Sequence, residues 1–432
     1  MSRVAMLMSG GVDSSVSAAL LKEQGYEVIG FYILGWLGTP EFPCPWQKEE
    51  KDARAVADLL GIPFHTINLS KVYEREVIDR FFAGYQAGVT PNPDILCNRE
   101  IKFKALWQAV RQFECDFLAS GHYARCQQVP SLKAKVSFVA GARFSPPPPV
   151  GGRRSVQSKA QVSSIKSNDN HPHFRLQTSD LEPSYPAIFK PADKEKDQTY
   201  FLWGIEKAML PKIIFPLGEL TKPEVRQLAK KYKLPTATKK DSQGICFVGP
   251  LKVRQFLASR VKTKPGDVYL TDGRKVATHE GVELYTIGQR LAAGSVDWTG
   301  DVPPLFVIAK DITNNRLIVG ADSQTFGIKL TAGSLIWLCD SPFDSAQGGF
   351  HHEIVAKAKI RYRQEDEAVH IRQVNAKLSV EFVRPVRALT AGQSIVFYST
   401  EGQLLGGGII ELVPEQDETV QQLTKALDQT KI

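Results

Sequence analysis

The chain has 432 residues, 43% of them apolar and 23% charged, ordinary values for a globular protein of two to three domains. They exclude a disordered, collagenous or coiled-coil chain, and no apolar run approaches the ~20 residues of a membrane-spanning helix. Lys and Arg number 54 against 46 Asp and Glu, a formal charge of +8, which suits a polyanionic partner without identifying one. The apolar run 4–8 is too short for a secretory signal and leads directly into a glycine loop. The six cysteines have no CxxC spacing and the eight histidines no zinc pattern, so a cytoplasmic protein with reduced thiols is expected.

Along the chain, short apolar runs first alternate with helical patterns. Strands are predicted over 4–8, 27–34, 64–69 and 117–120, and helices over 13–24, 48–60, 72–86 and 101–113. Strands separated by helices of this length make a doubly wound parallel sheet, which binds ligands at the carboxyl ends of its strands. This first domain is expected to span 1–205. It is interrupted over about 130–190 by an insertion rich in Pro, Gly, Ser and Lys, read as flexible with little core of its own. That insertion carries nine Lys and Arg and three Asp and Glu, so it accounts for +6 of the total charge. A small helical or mixed central domain follows over 206–270, with helices at 223–232 and 253–261 and a loop at 235–249. From 271 to 413, β-rich runs between turn signals predict a β-barrel. A polar tail, one exposed helix or disorder, occupies 414–432.

The first strand ends in Met8-Ser9-Gly10-Gly11-Val12-Asp13-Ser14-Ser15. Consecutive glycines let backbone N–H groups converge on one anion, and the helix that follows adds unpaired donors. Ser9, Ser14 and Ser15 offer hydroxyls, Val12 an anchor on the sheet, and Asp13 a helix cap or a carboxylate for magnesium. The loop lacks the Lys of a Walker A motif and the spacing of a dinucleotide fingerprint. It resembles instead the SGGxDS signature of the PP-loop ATP pyrophosphatases, which cleave ATP between the α and β phosphates and transfer AMP to a carbonyl oxygen.

Two cysteines have unusual neighbours. Cys97 follows Thr90-Pro91-Asn92-Pro93-Asp94-Ile95-Leu96, where two prolines stiffen the chain. Asn98 is predicted to cap a helix there, and that helix end, with Arg99 and Lys102, is expected to lower the thiol pKa. The alternative is a buried structural cysteine. Cys246 lies in Lys239-Lys240-Asp241-Ser242-Gln243-Gly244-Ile245-Cys246, a glycine-containing loop with cationic residues leading in. Local features leave its function open. Cys44, Cys115, Cys126 and Cys339 lack such settings.

The phosphate loop, NPDILCNREIKF at 92–103 and DSQGICFVG at 241–249, in this order and before a β-domain, resemble the tRNA-specific 2-thiouridylases (MnmA/TrmU type). Ser120-Gly121-His122-Tyr123-Ala124-Arg125, Lys196-Asp197-Gln198-Thr199-Tyr200-Phe201-Leu202, Tyr285-Thr286-Ile287-Gly288-Gln289-Arg290 and Arg361-Tyr362-Arg363 extend the resemblance over all but the insertion and the tail.

The resemblance implies replacement of the C2 oxygen of the wobble uridine by sulfur in tRNAs for Lys, Glu and Gln. ATP, with Mg2+, would adenylate the oxygen. Cys246 would carry a persulfide from a sulfur-donor protein or cysteine desulfurase relay. Cys97 would be the nucleophile that ends in a disulfide with it. Asp94 would join them in catalysis. ATP contacts would fall on residues 8–15 named above, on Leu34 (where the family usually has Met) and on Gly121. Asn92, Pro93 and Asp94 would hold the flipped base, with His122 beside it. Lys196, Asp197, Gln198, Arg361, Tyr362 and Gln393 would touch tRNA. A monomer is expected, with no protein-held metal assigned. The rival reading is a PP-loop enzyme that uses a nitrogen nucleophile on a small substrate, which leaves both cysteines unexplained. A non-catalytic RNA-binding module leaves the phosphate loop unexplained.

Overall fold

The computed structural model describes residues 1–129, 185–241, 246, 248, 253–291, 303–340, 343 and 353–429. The expected flexible insertion falls outside the described residues apart from 185–190. So does most of the loop around Cys246. The elements below fall in one unit, 1–129 with 186–432.

Five parallel strands form the first sheet. β1 (Arg3–Leu7) lies between β2 (Glu27–Leu34) and β4 (Phe117–Ala119), with β3 (Phe64–Asn68) outside β2 and the two-residue strand Ile213–Ile214 outside β4. Side chains of a strand alternate between faces. Val4 and Met6 therefore enter one core with Val16 and Leu21 of α1 (Val12–Glu23), Val56 of α2 (Trp46–Leu60) and Val225 of the helix Lys222–Lys231. Ala5 and Leu7 enter the other, with Tyr73, Val77, Ile101 and Leu106. Strand order reverses across β1 and β4. A crevice opens at such a reversal, at the carboxyl ends of the strands, and the segments after β1 and β4 are the glycine loop and residues 120–124. The sheet thus reaches beyond the expected limit at 205, because strand Ile213–Ile214 and helix Lys222–Lys231 complete it.

Residues 271–413, expected as one barrel, divide between two β-structures. Strands Gly266–Tyr269, Lys275–His279, Phe306–Asp311 and Arg316–Gly320 make a four-stranded sheet. The closed barrel has six antiparallel strands, in the order Phe326–Trp337, Lys377–Arg387, Glu367–Val374, Glu353–Lys359, Ser394–Tyr398 and Leu404–Leu412. Closure removes its edges, and Ile354, Val369, Ile371, Val380, Phe382 and Phe397 fill its interior. The polar tail is a helix, Pro414–Gln429, whose Leu423 is fully buried against Ile308, Ala309 and Ile318. It is docked rather than free. Among the described residues, no helix is long and apolar enough to cross a membrane.

Candidate active site

The glycine loop is shaped by backbone constraints. Gly10 has φ +71°, and a Cβ there would lie 2.3 Å from the Glu49 carbonyl oxygen. A side chain would therefore meet strain and a clash together. Gly11 sits at the N-cap of α1, which no side chain caps, so the first-turn N–H groups remain for an anion. Gly121, after β4, packs on the loop so closely that a Cβ would stand 2.8 Å from the Ser14 nitrogen. Met8 and Leu34 are buried at the strand ends. The hydroxyls of Ser14 and Ser15 are buried within the loop, whereas Ser9 is exposed. Ser14 Oγ and Ser15 Oγ donate to the Gly11 carbonyl at 3.1 and 2.7 Å, and Ser9 Oγ lies 3.2 Å from Ser14 Oγ. Backbone N–H groups, more than hydroxyls, are thus the donors this loop presents.

Asp13 does not cap its helix. Its carboxylate accepts from Tyr123 Oη at 2.9 Å and from Lys222 Nζ at 2.7 and 2.8 Å. Lys222 also meets Asp241 at 2.7 Å, where Lys196 and Arg226 converge at 2.8 and 2.9 Å. Burial opposes the charge of Asp241, but the hydrogen bonds and charges of Lys196 and Lys222 outweigh it and hold the carboxyl at about 2. Lys239 Nζ donates to the Gly10 carbonyl at 2.9 Å and to Asp52 at 2.6 Å. Four cations, Lys196, Lys222, Arg226 and Lys239, thus gather beside the glycine loop. The Lys239–Asp241 sequence hinted at this, whereas nothing local marked Tyr123, Lys222 or Arg226.

The cysteines come together on the other side of the site. Asn92, not Asn98, is the helix cap: its Oδ1 accepts from the N–H groups of Asp94 and Ile95 at 3.1 and 3.4 Å, with Pro93 at the first helical position. The helix therefore starts before Cys97. Asn98 is buried and donates to the Phe201 carbonyl at 3.0 Å. From Cys97 to Ala105 the turns widen into a π-helix, a form frequent at functional sites. Cys97 is fully buried and Cys246 partly so, both as free thiols. The Cys246 N–H donates to Asp94 Oδ1 at 3.0 Å, its carbonyl accepts from Tyr73 Oη, and its sulfur hydrogen-bonds to Cys97 and to Lys102.

The two thiols are unequal, in the opposite sense to the expectation for Cys97. Burial, then its hydrogen bond with Cys246, pushes the Cys97 thiol well up. The helix end cannot help, because Cys97 lies inside the helix. The bond from Cys97 holds Cys246 below the usual thiol value against its burial, with Lys102 adding charge and a second bond. Lys102 is raised despite burial by the charges of Cys246, Cys97 and Asp94. Asp94 is raised by burial, which the Cys246 N–H and Lys102 only partly offset. His122 is buried, with Nδ1 2.8 Å from Ser120 Oγ, and burial and then Lys102 drive it well below 6.5, so its ring is neutral at pH 7.

The segments expected to touch tRNA also join the domains. Gln198 Oε1 accepts from the Tyr123 N–H at 2.9 Å. Gln393 Nε2 donates to the Thr90 carbonyl at 2.8 Å. Arg361 reaches the Ala388 carbonyl at 3.1 Å. Tyr362 packs on Phe201 with ring centroids 4.7 Å apart. Lys196 and Tyr362 keep partial exposure. Asp197 is only 6% exposed and pairs with Lys359 Nζ at 2.9 Å. Removing Asp197 would leave the buried Lys359 with the longer contact to Asp366, at 3.6 Å. Asp197→Ala should accordingly cost roughly 3 kcal/mol and lower the melting temperature. An unchanged melting temperature with weakened tRNA binding would mean that Asp197 acts on tRNA instead.

Three family models cover most of the chain: a tRNA methyl transferase HUP domain over 2–142 and 173–250, a tRNA methyl transferase PRC-barrel domain over 254–321, and an aminomethyltransferase β-barrel domain over 328–410. Their limits follow the parallel sheet, the four-stranded sheet and the closed barrel. Among curated proteins, the chain is 38% identical over 427 residues to the tRNA-specific 2-thiouridylase MnmA of Lactococcus lactis subsp. cremoris (strain MG1363), spanning 97% of each chain. It is 38% identical to the MnmA of Streptococcus mutans serotype c (strain ATCC 700610 / UA159), over 98% of each chain, and to that of Pseudomonas fluorescens (strain Pf0-1), over 95% of each.

Proposed function

The chain belongs to the tRNA-specific 2-thiouridylase family, and from that premise we propose that it uses ATP to exchange the C2 oxygen of a tRNA wobble uridine for sulfur. The observation that carries this reading is that the fold holds a phosphate loop together with two free thiols, Cys97 and Cys246, the second fixed by its N–H to Asp94 Oδ1 at 3.0 Å, three residues before Cys97. A urea-like carbonyl oxygen is a poor leaving group, so activation must come first. The C2 oxygen attacks the α phosphorus of ATP, pyrophosphate leaves into the nest of backbone N–H groups after β1, and AMP is left on C2. Lys222 and Lys239 supply positive charge where phosphate charge collects. Both oxygens of Asp13 already accept from Lys222 and do not fit a magnesium ligand, so magnesium would be held by the ATP phosphates it neutralises.

Sulfur transfer then falls to the thiol pair. Cys246, carrying a persulfide from a sulfur-donor protein, attacks C2 through its outer sulfur and AMP leaves. Cys97, as thiolate, attacks the inner sulfur. The sulfur–sulfur bond breaks, its electron pair goes to the sulfur on C2, and a Cys97–Cys246 disulfide remains for reduction in the cytoplasm. If Cys97 acts before C2 is attacked, hydrogen sulfide is released and attacks instead, with the same final products. Asn92, Pro93 and Asp94 would grip the flipped base, while Lys196, Arg361 and Tyr362 line its approach. The tRNAs for Lys, Glu and Gln are the proposed acceptors of a monomeric enzyme.

The activation step can be tested alone. With ATP and tRNA but no sulfur source, the enzyme should release pyrophosphate and leave AMP on the tRNA. Pyrophosphate release that ignores tRNA but responds to ammonia and a small carboxylate would favour the nitrogen-nucleophile reading.

A further inference from the structure

Lys222 is the first residue of the helix Lys222–Lys231, whose start is fixed by a capping box of Thr221 and Glu224. An ammonium has three N–H donors. Three carboxylate oxygens take them: both oxygens of Asp13, at 2.7 and 2.8 Å, and Asp241 Oδ1 at 2.7 Å. No donor is left for a phosphate. Asp13 lies in the first turn of α1, beside the N–H groups on which phosphate charge would collect. A bare carboxylate there would repel a polyphosphate. We propose that Lys222 is a positioning residue for ATP that acts through Asp13: it cancels the carboxylate carried by the phosphate loop and does not itself grip phosphate.

This assignment rests on the reading of the loop as an ATP site and deepens it. Asp13 has a task of its own. Tyr123 Oη donates to it at 2.9 Å, and this bond ties α1 to the segment after β4, where Gly121 closes on Ser14. The tie shapes the crevice but puts a negative charge in it. Ion pairs extend from there: Asp241, which meets Lys222, also meets Lys196 and Arg226 at 2.8 and 2.9 Å. These three cations and two carboxylates leave one positive charge for the phosphates. A neutral residue in place of Lys222 removes that surplus, and a neutral residue in place of Asp13 as well restores it. A lysine that gripped phosphate would behave otherwise, since no change at Asp13 could return the lost donor. Asp193, which accepts from the Lys222 backbone N–H at 2.8 Å, is common to every variant, as is the pair of Lys239 and Asp52.

The test measures ATP affinity on the full chain without tRNA, by equilibrium dialysis with labelled ATP and magnesium. Lys222→Met should weaken binding at least ~10-fold, through the loss of one charge close to the phosphates. Lys222→Arg keeps the charge and should restore most of the affinity. Asp13→Asn keeps an acceptor oxygen for Tyr123 and should bind at least as tightly as the wild type. The double variant Asp13→Asn/Lys222→Met should return to within ~3-fold of the wild type, a non-additive result that a merely structural role would not produce. A double variant as weak as Lys222→Met overturns the proposal and makes Lys222 a direct phosphate ligand. Weaker binding by Asp13→Asn than by the wild type overturns it too, whether or not Lys222→Met folds. A wild type that binds no ATP would overturn both this assignment and the ATP reading. Affinities in the expected order without thiolation of tRNA would support the assignment and count against the wider reading alone.

Discussion

Cys246→Ser should abolish tRNA thiolation while leaving tRNA-dependent pyrophosphate release in place. The two activities separate because the phosphate loop and the thiol pair are built from different segments. The loop follows β1 and is braced by Gly121 and Lys239, whereas Cys246 is held by Asp94, Tyr73, Cys97 and Lys102. A serine cannot carry a persulfide, so the loss should exceed ~10³-fold, more than 4 kcal/mol of barrier. Cys97→Ser should be as severe in product yet stop later, with Cys246 still accepting sulfur and no disulfide formed. Intact-protein mass spectrometry without reductant distinguishes the two, since wild-type turnover removes two hydrogens and neither variant can. Full thiolation by either variant would remove the thiol pair from the mechanism.

Gly10→Ala should raise the KM for ATP about 100-fold, corresponding to roughly 3 kcal/mol of lost phosphate binding. The added Cβ would lie 2.3 Å from the Glu49 carbonyl oxygen and 3.1 Å from its carbonyl carbon, at φ +71°. Both obstacles are backbone, so no rotamer change relieves them, and the loop must shift away from α2. Gly25→Ala is the matched control. Gly25 has φ +85° with nothing within 4 Å of its Cβ position, so it bears conformational strain alone, about 1–2 kcal/mol of stability. Pyrophosphate release at varied ATP would show the contrast. A Gly10→Ala enzyme with unaltered KM would mean that phosphate does not sit on this loop.

What was legible in the sequence was what depends on local pattern. The strand–helix alternation marked β1, β2, β3 and β4 to within a residue or two, because each strand of a covered sheet is a short apolar run bounded by turns. Strand Ile213–Ile214 is two residues long and has no period to read. The division of the β-rich half escaped detection for another reason. Alternation reveals strands but not partners, and the parallel pairing of Arg316–Gly320 with Gly266–Tyr269 joins segments distant in the chain. The helix Pro414–Gln429 looked free because its apolar contacts are few: Leu423 is buried, with Val420 and Leu427 partly buried beside it.

The candidate site divides in the same way. The glycine loop and both cysteines stand in recognisable segments. The order of their acidities does not, since it depends on which thiol is enclosed and which sulfur Lys102 reaches. Lys222 and Tyr123 were likewise invisible: a lysine at a helix start and a tyrosine after a strand gain meaning only when both meet Asp13.

The central claim is an exchange of oxygen for sulfur on tRNA. The most direct test incubates the wild-type chain with unmodified tRNA, ATP and a persulfide donor, then analyses the digested nucleosides by mass spectrometry. The account predicts a uridine from the wobble position with one sulfur in place of its C2 oxygen, formed only when ATP is present. Pyrophosphate release with uridine unchanged, or with nitrogen in place of the oxygen, would contradict it.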